Sequence, residues 1–213
     1  MGLAVVVGIV AQVARADPEA VEHYREEFAR INEVLVERGL PEHTEPEELP
    51  ALANRCSLES YPYSFLHSLR RVYAHRVRDA AWVATPVLEQ QEAMNDPLVE
   101  EVTMEMTSHL LCHSDAEGYY LPIDFDEILF DEQQDRITGG MLGSSYRLRD
   151  ELLFVAPALG INVLGKALPD SEADRITSCM EQEGPLWIEK TVWLSLFEAA
   201  RLSIQHRAAI CFT

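Results

Sequence analysis

The segment 185–206, PLWIEKTVWLSLFEAARLSIQH, is apolar around most of its circumference when it is drawn as a helix. A helix of this kind must be buried, because at the surface it would expose an apolar patch that soluble monomers rarely tolerate. We therefore predict a long, central helix near the C terminus. The other elements have to pack around it, so this segment is the main constraint on the fold.

Local patterns predict the elements that surround this helix. Asp17 followed by Pro18 is a favourable helix start, and apolar residues at spacings of three and four continue from there towards Gly39. The same reasoning predicts helices at 63–82, 145–156 and 171–182, and strands at 161–164 and 208–212. The terminal strand can pair either with the apolar run at 3–13 or with residues 109–112.

These elements predict an α+β fold, a mainly helical single domain over residues 1–213 with a small β-sheet and the long buried C-terminal helix. The chain length suits one large domain. The connector 41–50 holds three prolines and four glutamates and is a weak candidate for a boundary between subdomains.

The N-terminal apolar run 3–13 does not have the features of a secretion signal. No basic residue precedes the run, Gln12 interrupts it, and it is shorter than the roughly 20 residues that cross a bilayer. The cysteines are scattered, in apolar contexts, without metal-binding spacing, which is typical of reduced buried thiols. We therefore expect a cytoplasmic protein that does not bind a membrane. The four cysteines are Cys56, Cys112, Cys179 and Cys211.

Charge narrows the possible functions. The chain has 36 acidic residues against 17 basic ones, a formal net charge of −19. This balance excludes a protein that binds nucleic acid through bulk charge, since neutralising phosphates requires clustered Lys and Arg. The excess is local: residues 79–135, here called the acidic region, contain 15 Asp and Glu and no Lys or Arg.

A basic stripe precedes the acidic region on the helix predicted at 63–82. His67, Arg71, His75 and Arg78 follow one another at spacings of four, four and three, which places them on one helix face. Two interpretations stay open. The acidic region is either a solvated face that this stripe partly neutralises, or an electronegative surface that recruits a basic partner or a cation.

The segment 108–125, within the acidic region, is the densest in chemically active side chains. The histidines and carboxylates of this segment are spaced so that they can surround one divalent ion, whether the segment forms a helix or a strand. The other interpretation is structural, with polar groups that satisfy a tight turn around Gly118. We expect His113, Asp115 and Glu117 to share a pocket in which the pKa of His113 is raised. The candidate metal ligands are His109, His113, Asp115 and Glu117, and the candidate binding residues are His113, Asp115, Glu117, Tyr119, Tyr120 and Asp124.

A glycine-rich stretch, GGMLGSS, precedes the helix predicted at 145–156. Free backbone N–H groups at such a helix start can hold an anion. A nucleotide-binding loop would carry lysine after the last glycine, where this chain has Ser144. A flexible turn with a serine N-cap is the structural alternative. The weak candidate anion site comprises Gly139, Gly140, Gly143, Ser144 and Ser145.

Three segments together, HSDAEGYYLPIDF, GGMLGSSYRL and WLSLFEAARLSIQH, resemble a family of uncharacterised bacterial proteins of about this length. The resemblance covers most of the chain and implies no activity. Small acidic proteins of this character are similar in composition and size to bacterial immunity proteins and other partner-binding proteins.

Two functions follow from these observations. The first is a non-catalytic interaction protein that holds a basic protein partner through the acidic region, with Tyr119 and Tyr120 as aromatic anchors, without a cofactor. The alternative is a metal-assisted hydrolase built on His109, His113, Asp115 and Glu117. We favour the first, because it uses the strongest statistical feature of the sequence.

Overall fold

The computed structural model describes residues 2–58, 60–87, 92–131 and 136–213. Helices account for far more of the described residues than strands do, and the strands are short. Two 3₁₀ turns, at Ala93–Asn95 and Ala156–Leu159, connect elements. The helices are α1 (Ile9–Ala16), α2 (Pro18–Glu37), α3 (Tyr63–Arg78), α4 (Pro97–Thr103), α5 (His109–Cys112), α6 (Ser145–Val155), α7 (Asp170–Glu181) and α8 (Trp187–His206), and the strands are β1 (Leu3–Val7), β2 (Ser60–Tyr61), β3 (Gly118–Leu121), β4 (Leu129–Phe130), β5 (Met141–Ser144) and β6 (Ile210–Phe212).

The six strands form one sheet in the order β2-β1-β6-β3-β5-β4. Neighbouring strands are antiparallel, except that β3 and β5 run parallel. The terminal strand β6 pairs with β1, so that Val6 lies opposite Cys211. The two ends of the chain therefore meet in the middle of the sheet. Of the two pairings predicted for the terminal strand, the one with the N-terminal run is formed.

Helices cover both faces of the sheet. Side chains from α3, α6 and α8 make a large core with Leu3 and Tyr120, whereas side chains from α1 and α2 make a second core with Tyr119 and Leu121. Successive residues of a strand point to opposite faces, which is why the two adjacent tyrosines belong to different cores. The mainly helical α+β domain predicted from the sequence is observed.

The central helix α8 is buried over most of its length, as predicted. Trp193 has no exposed surface, and its indole Nε1 donates a hydrogen bond to the carbonyl of Leu152 at 2.7 Å. The start of α2 is also as predicted: Pro18 is the first helical residue, and the Asp17 carboxylate accepts a hydrogen bond from the N–H of Glu19 at 3.0 Å.

One local prediction was wrong, and two further segments take forms that the sequence left open. Residues 161–164 form no strand, because the segment turns back on itself and Leu164 makes a single bridge with Ala167. The N-terminal run is divided between β1 and α1, because Gly8 adopts a left-handed φ of 76°. The four residues His109–Cys112 are a short helix and therefore do not pair with the terminal strand.

Among the helices of the described ranges, none combines the length and the hydropathy that crossing a bilayer requires.

Candidate functional site

The basic stripe of α3 faces carboxylates of the acidic region. Nε of Arg71 lies 3.1 Å from Oδ2 of Asp96, and Nε2 of His75 lies 2.8 Å from the same oxygen. Burial disfavours ionised Asp96, but hydrogen bonds from His75 and from the N–H of Leu98 outweigh it and hold the pKa of Asp96 below its usual range. Asp96 also caps α4, because its carboxylate accepts that Leu98 N–H bond.

Arg78 joins the end of α3 to α4. Its guanidinium lies 2.8 Å from Oε1 of Glu101 and 2.5 Å from Oε1 of Glu105. The opposite side of α4 packs on α3 through Val102, in a small apolar cluster with Ala74 and Leu111. Apolar contact and ion pairs together fix α4, with its remaining carboxylates turned to solvent.

Another arginine of α3, Arg70, binds the chemically dense segment 108–125 from the inside of the fold. Its buried guanidinium binds the carboxylate of Asp115 and donates to the carbonyls of Leu110, at 2.9 Å, and His113. Nε2 of His67 lies 3.2 Å from Oδ2 of Asp115. Burial disfavours the charged carboxylate, but His67 and Arg70 outweigh it and lower the pKa of Asp115 to about 2.

His113 is fully buried and does not pair with Asp115. Its ring stacks on Tyr120 at a centroid distance of 4.2 Å and meets the ring of Phe212 edge-on at 4.5 Å. Nδ1 lies 2.9 Å from the carbonyl oxygen of Ser114. Burial disfavours the imidazolium and lowers the pKa of His113 to about 4. The prediction of a raised pKa for His113 was therefore wrong.

His109 is a structural link between two loops. Its Nδ1 accepts a hydrogen bond from the N–H of Ser144 at 3.0 Å, and its Nε2 lies 3.1 Å from the carbonyl oxygen of Asp126. One nitrogen accepts and the other donates, so the ring is the neutral tautomer with the proton on Nε2. Burial also lowers the pKa of His109.

The predicted metal ligands do not converge. His109 uses both ring nitrogens in the contacts above and His113 uses its Nδ1, whereas Nε2 of His113 is buried without a hydrogen-bond partner among the described residues. Asp115 pairs with Arg70 and His67, and exposed Glu117 lines an open depression. Within the described ranges, no group of three or more His, Cys, Asp or Glu is arranged to hold a metal ion. The arrangement therefore offers no support for the metal-assisted hydrolase.

The glycine-rich stretch is mostly strand rather than an open loop. Gly143 lies in β5 against the ring of Tyr120, so close that a Cβ there would be 2.2 Å from a ring carbon. The Ser144 hydroxyl donates to the carbonyl of Ile123 at 2.7 Å, and the Ser145 hydroxyl shares a hydrogen bond with Ser203. These groups satisfy one another within the fold. Gly139 and Gly140 lie at the preceding turn, and Ser145 is the first residue of α6.

The remaining candidate binding residues divide between core and surface. Tyr119 and Tyr120 are each 1% exposed, so both rings support the fold and neither is presented to a partner. Asp124 is exposed and pairs with Arg147 at 2.6 Å. The neighbouring Asp126 also approaches Arg147, at 3.1 Å, although its side chain is 83% exposed.

Sequence reasoning missed Arg70, which is buried, and Glu151, which is partly buried. Arg70 lies beside the predicted stripe, and its position one turn after His67 was the available signal. Glu151 of α6 accepts hydrogen bonds from the N–H groups of His109, at 2.8 Å, and Leu110, at 2.7 Å. Burial raises the pKa of Glu151 to about 7. No local pattern pointed to this residue, because its partners lie about forty positions away in the chain.

Comparison with protein families gives a match over residues 1–212, to a family described as "Putative DNA-mimic protein". The chain belongs to this DNA-mimic family. The match covers almost the whole chain and confirms the resemblance to a family that was predicted from three separate segments. No curated protein and no solved structure has significant similarity to the chain.

Proposed function

We propose that this protein binds a basic, DNA-binding protein in place of DNA, without catalysing a reaction. The proposal rests on membership of the DNA-mimic family together with the net charge of −19. A surface of carboxylates can offer to a DNA-binding site the negative charge that phosphates supply. The same charge repels nucleic acid, so the nucleic-acid chemistry belongs to the partner.

The acidic region supplies the binding surface in this proposal. Within the described residues, arginines bind its carboxylates at five places: Arg70, Arg71, Arg78, Arg136 and Arg147. Five arginines cannot neutralise 15 carboxylates. The basic stripe therefore neutralises part of the acidic region, and the excess of negative charge that it leaves supports the proposal that this surface recruits a basic partner.

The uncompensated carboxylates lie at the surface. Glu100 on α4, Glu117 before β3 and Glu127 before β4 are exposed and form no ion pair within the described ranges. Asp126 is mostly exposed despite its contact with Arg147. Exposed charges of one sign mainly raise the rate at which an oppositely charged protein associates.

Occupying the DNA-binding surface of another protein inhibits it, as an immunity protein inhibits its target. A partner that works on bacterial DNA also agrees with the expected location in the cytoplasm. Both statements extend the proposal and depend on the identity of the partner.

The test is competition with DNA. Proteins from a lysate of the source organism are bound to double-stranded DNA resin at about 50 mM salt, and the purified protein is added as eluant. We expect it to release a DNA-binding protein, which is then purified and shown to bind either a DNA duplex or this protein, not both at once. Failure to release any protein would contradict the proposal.

Matched variants locate the surface. Glu100→Gln, Asp126→Asn and Glu127→Gln together remove three charges from the acidic region. Glu19→Gln, Glu26→Gln and Glu33→Gln remove three from α2, where these carboxylates are exposed and unpaired within the described part. Only the first triple variant should slow association, with a smaller difference at about 200 mM salt because screening increases. The reverse result would move the binding surface to α2.

A further inference from the structure

Apolar side chains are exposed inside the acidic region. Within the described ranges eight large apolar residues are exposed, and four of them belong to this region although it is little more than a quarter of the chain. Single exposed apolar residues are ordinary, but here they gather where charge is densest. The four are Val83, Met94, Met104 and Met106.

Met104 and Met106 are presented by the end of α4. Met104 is 77% exposed and Met106 is 49% exposed. Met104 follows Glu100 by four positions and Glu101 by three, which places the three side chains on one face of the helix. The buried side of α4 and the pairing of Arg78 with Glu101 and Glu105 hold this face in place.

The backbone at Met106 is unusual. Its φ is 54°, in the left-handed region that residues other than glycine rarely adopt, and its N–H donates to the carbonyl of Thr103 at 2.9 Å. Glycine or asparagine would form this turn with less strain. Strained backbone persists where the surrounding structure enforces it, and such positions cluster at binding sites. A methionine here is held at the surface despite the cost.

We propose that Met104 and Met106 form an apolar docking site, here called the methionine site, for an apolar patch next to the basic DNA-binding surface of the partner. The inference deepens the proposed function and depends on it. DNA offers phosphates to a partner but no flexible apolar side chains. The methionine site would therefore let the protein select one DNA-binding protein among many that recognise phosphates.

Charge complementarity identifies the occupant as a basic protein. Glu100, Glu101 and Glu105 surround the methionine site, so a second copy of this chain would bring like charges together. A partner with basic residues around an apolar patch satisfies both features at once. Methionine suits such a contact, because its unbranched, polarisable side chain adapts to irregular surfaces.

The experiment compares how much DNA-binding protein is retained by wild type and by matched variants. The probe is the lysate fraction that double-stranded DNA resin retains at about 50 mM salt and releases at high salt. It is passed over immobilised wild type, Met104→Gln with Met106→Asn, and Leu164→Gln. Glutamine is a good helix former and asparagine tolerates a positive φ, so the double variant keeps the fold. Leu164 is a matched control, because it is 73% exposed and lies outside the acidic region.

We expect wild type to retain a DNA-binding protein, and we expect the double variant to bind that protein about tenfold less tightly. The difference should persist at about 200 mM salt, where screening weakens the charge contribution. Leu164→Gln should behave as wild type. Met104→Gln alone should show part of the loss, and circular dichroism checks that each variant is folded.

Any other outcome contradicts the methionine site, the proposed function or both. If the double variant retains the protein as well as wild type does, while the triple variant of Glu100, Asp126 and Glu127 loses it, the methionine site is refuted and the proposed function stands. If wild type retains nothing, both fail. If sedimentation shows that wild type self-associates and the double variant does not, the occupant is a second copy and the inference is overturned.

Discussion

The guanidinium of Arg78, in the last turn of α3, lies 2.8 Å from Oε1 of Glu101 on α4. This pair places a positive charge inside the proposed binding surface. It steadies α4 but also weakens the negative potential that would attract a basic partner.

Arg78→Gln should therefore speed association with the DNA-binding protein released from DNA resin, by about twofold or more at low salt. The change in stability should be small, because exposed ion pairs contribute little. Stopped-flow mixing measures the rate. Arg25→Gln is the control, since Arg25 is also exposed and pairs with Glu22 and Glu47, outside the acidic region. Equal rates for both variants and wild type would mean that the charge of the acidic region does not steer binding.

Trp193 should be the most costly single truncation in the central helix. Trp193→Ala removes a fully buried side chain and should lower the free energy of unfolding by about 3–5 kcal/mol. Trp193→Phe keeps most of the volume and loses only the indole hydrogen bond to the carbonyl of Leu152, which still accepts from the N–H of Ala156, so its cost should be smaller. Urea unfolding measures both. A loss below about 1 kcal/mol for the alanine variant would contradict this packing.

The elements that the sequence predicted well are those with local signals. The α8 segment is apolar around most of its circumference, and α2 begins with an aspartate followed by proline, so neither prediction depends on distant partners. Helix α4 ends at Thr103, and Met106 in the turn that follows adopts a left-handed φ. No residue type between Thr103 and His109 indicates this turn. The parallel pairing of β3 with β5 likewise depends on contacts between distant segments.

In the candidate site, too, the features with local signals were predictable and the contacts between distant residues were not. The separation of charge into a basic stripe and an acidic region is visible in composition and spacing, and the two do meet. Which carboxylate each cation of the stripe binds was not predictable, because the paired residues are more than 20 positions apart in the chain. His113 appeared reactive in the sequence because carboxylates follow it closely, whereas the fold turns its ring into the core beside Tyr120.

Two aspartates of the acidic region should respond differently to mutation. The side chain of Asp131 is fully buried, and its Oδ2 accepts from the N–H groups of Arg136, at 2.6 Å, and Ile137, at 3.2 Å. Asp131→Ala should cost about 1–3 kcal/mol of stability, because it leaves these donors unpaired. Asp126→Ala should change stability by about 0.5 kcal/mol or less.

Thermal or urea unfolding of the two variants distinguishes a structural carboxylate from a surface one. A similar effect of both substitutions would be incompatible with the burial of Asp131. A charge-neutralising variant aimed at partner binding must therefore leave Asp131 intact. Glu132, the acid that follows Asp131 in the sequence, lies outside the described residues.

The buried ring of His113 should make the protein sensitive to mild acid. Its pKa is lowered to about 4 in the folded state, against an ordinary value of 6.5. Between these values the unfolded chain binds a proton that the folded chain does not, so stability falls as pH decreases from about 6.5 to 4. The largest possible loss is about 3 kcal/mol. Glu151 acts in the opposite direction, since a pKa raised to about 7 makes stability fall as pH rises from about 4.5 to 7.

Comparing wild type with His113→Phe isolates the histidine, because the contribution of Glu151 is present in both proteins. Phenylalanine retains the stacking on Tyr120 and cannot titrate, so the variant should lose less stability than wild type between pH 6.5 and 4. His23→Gln is the control, since that side chain is 65% exposed. Urea unfolding at several pH values gives the stability curves, and NMR titration of the His113 ring should give a midpoint near 4. Parallel stability curves for wild type and His113→Phe, or an ordinary midpoint for the ring, would show that His113 is not buried as described.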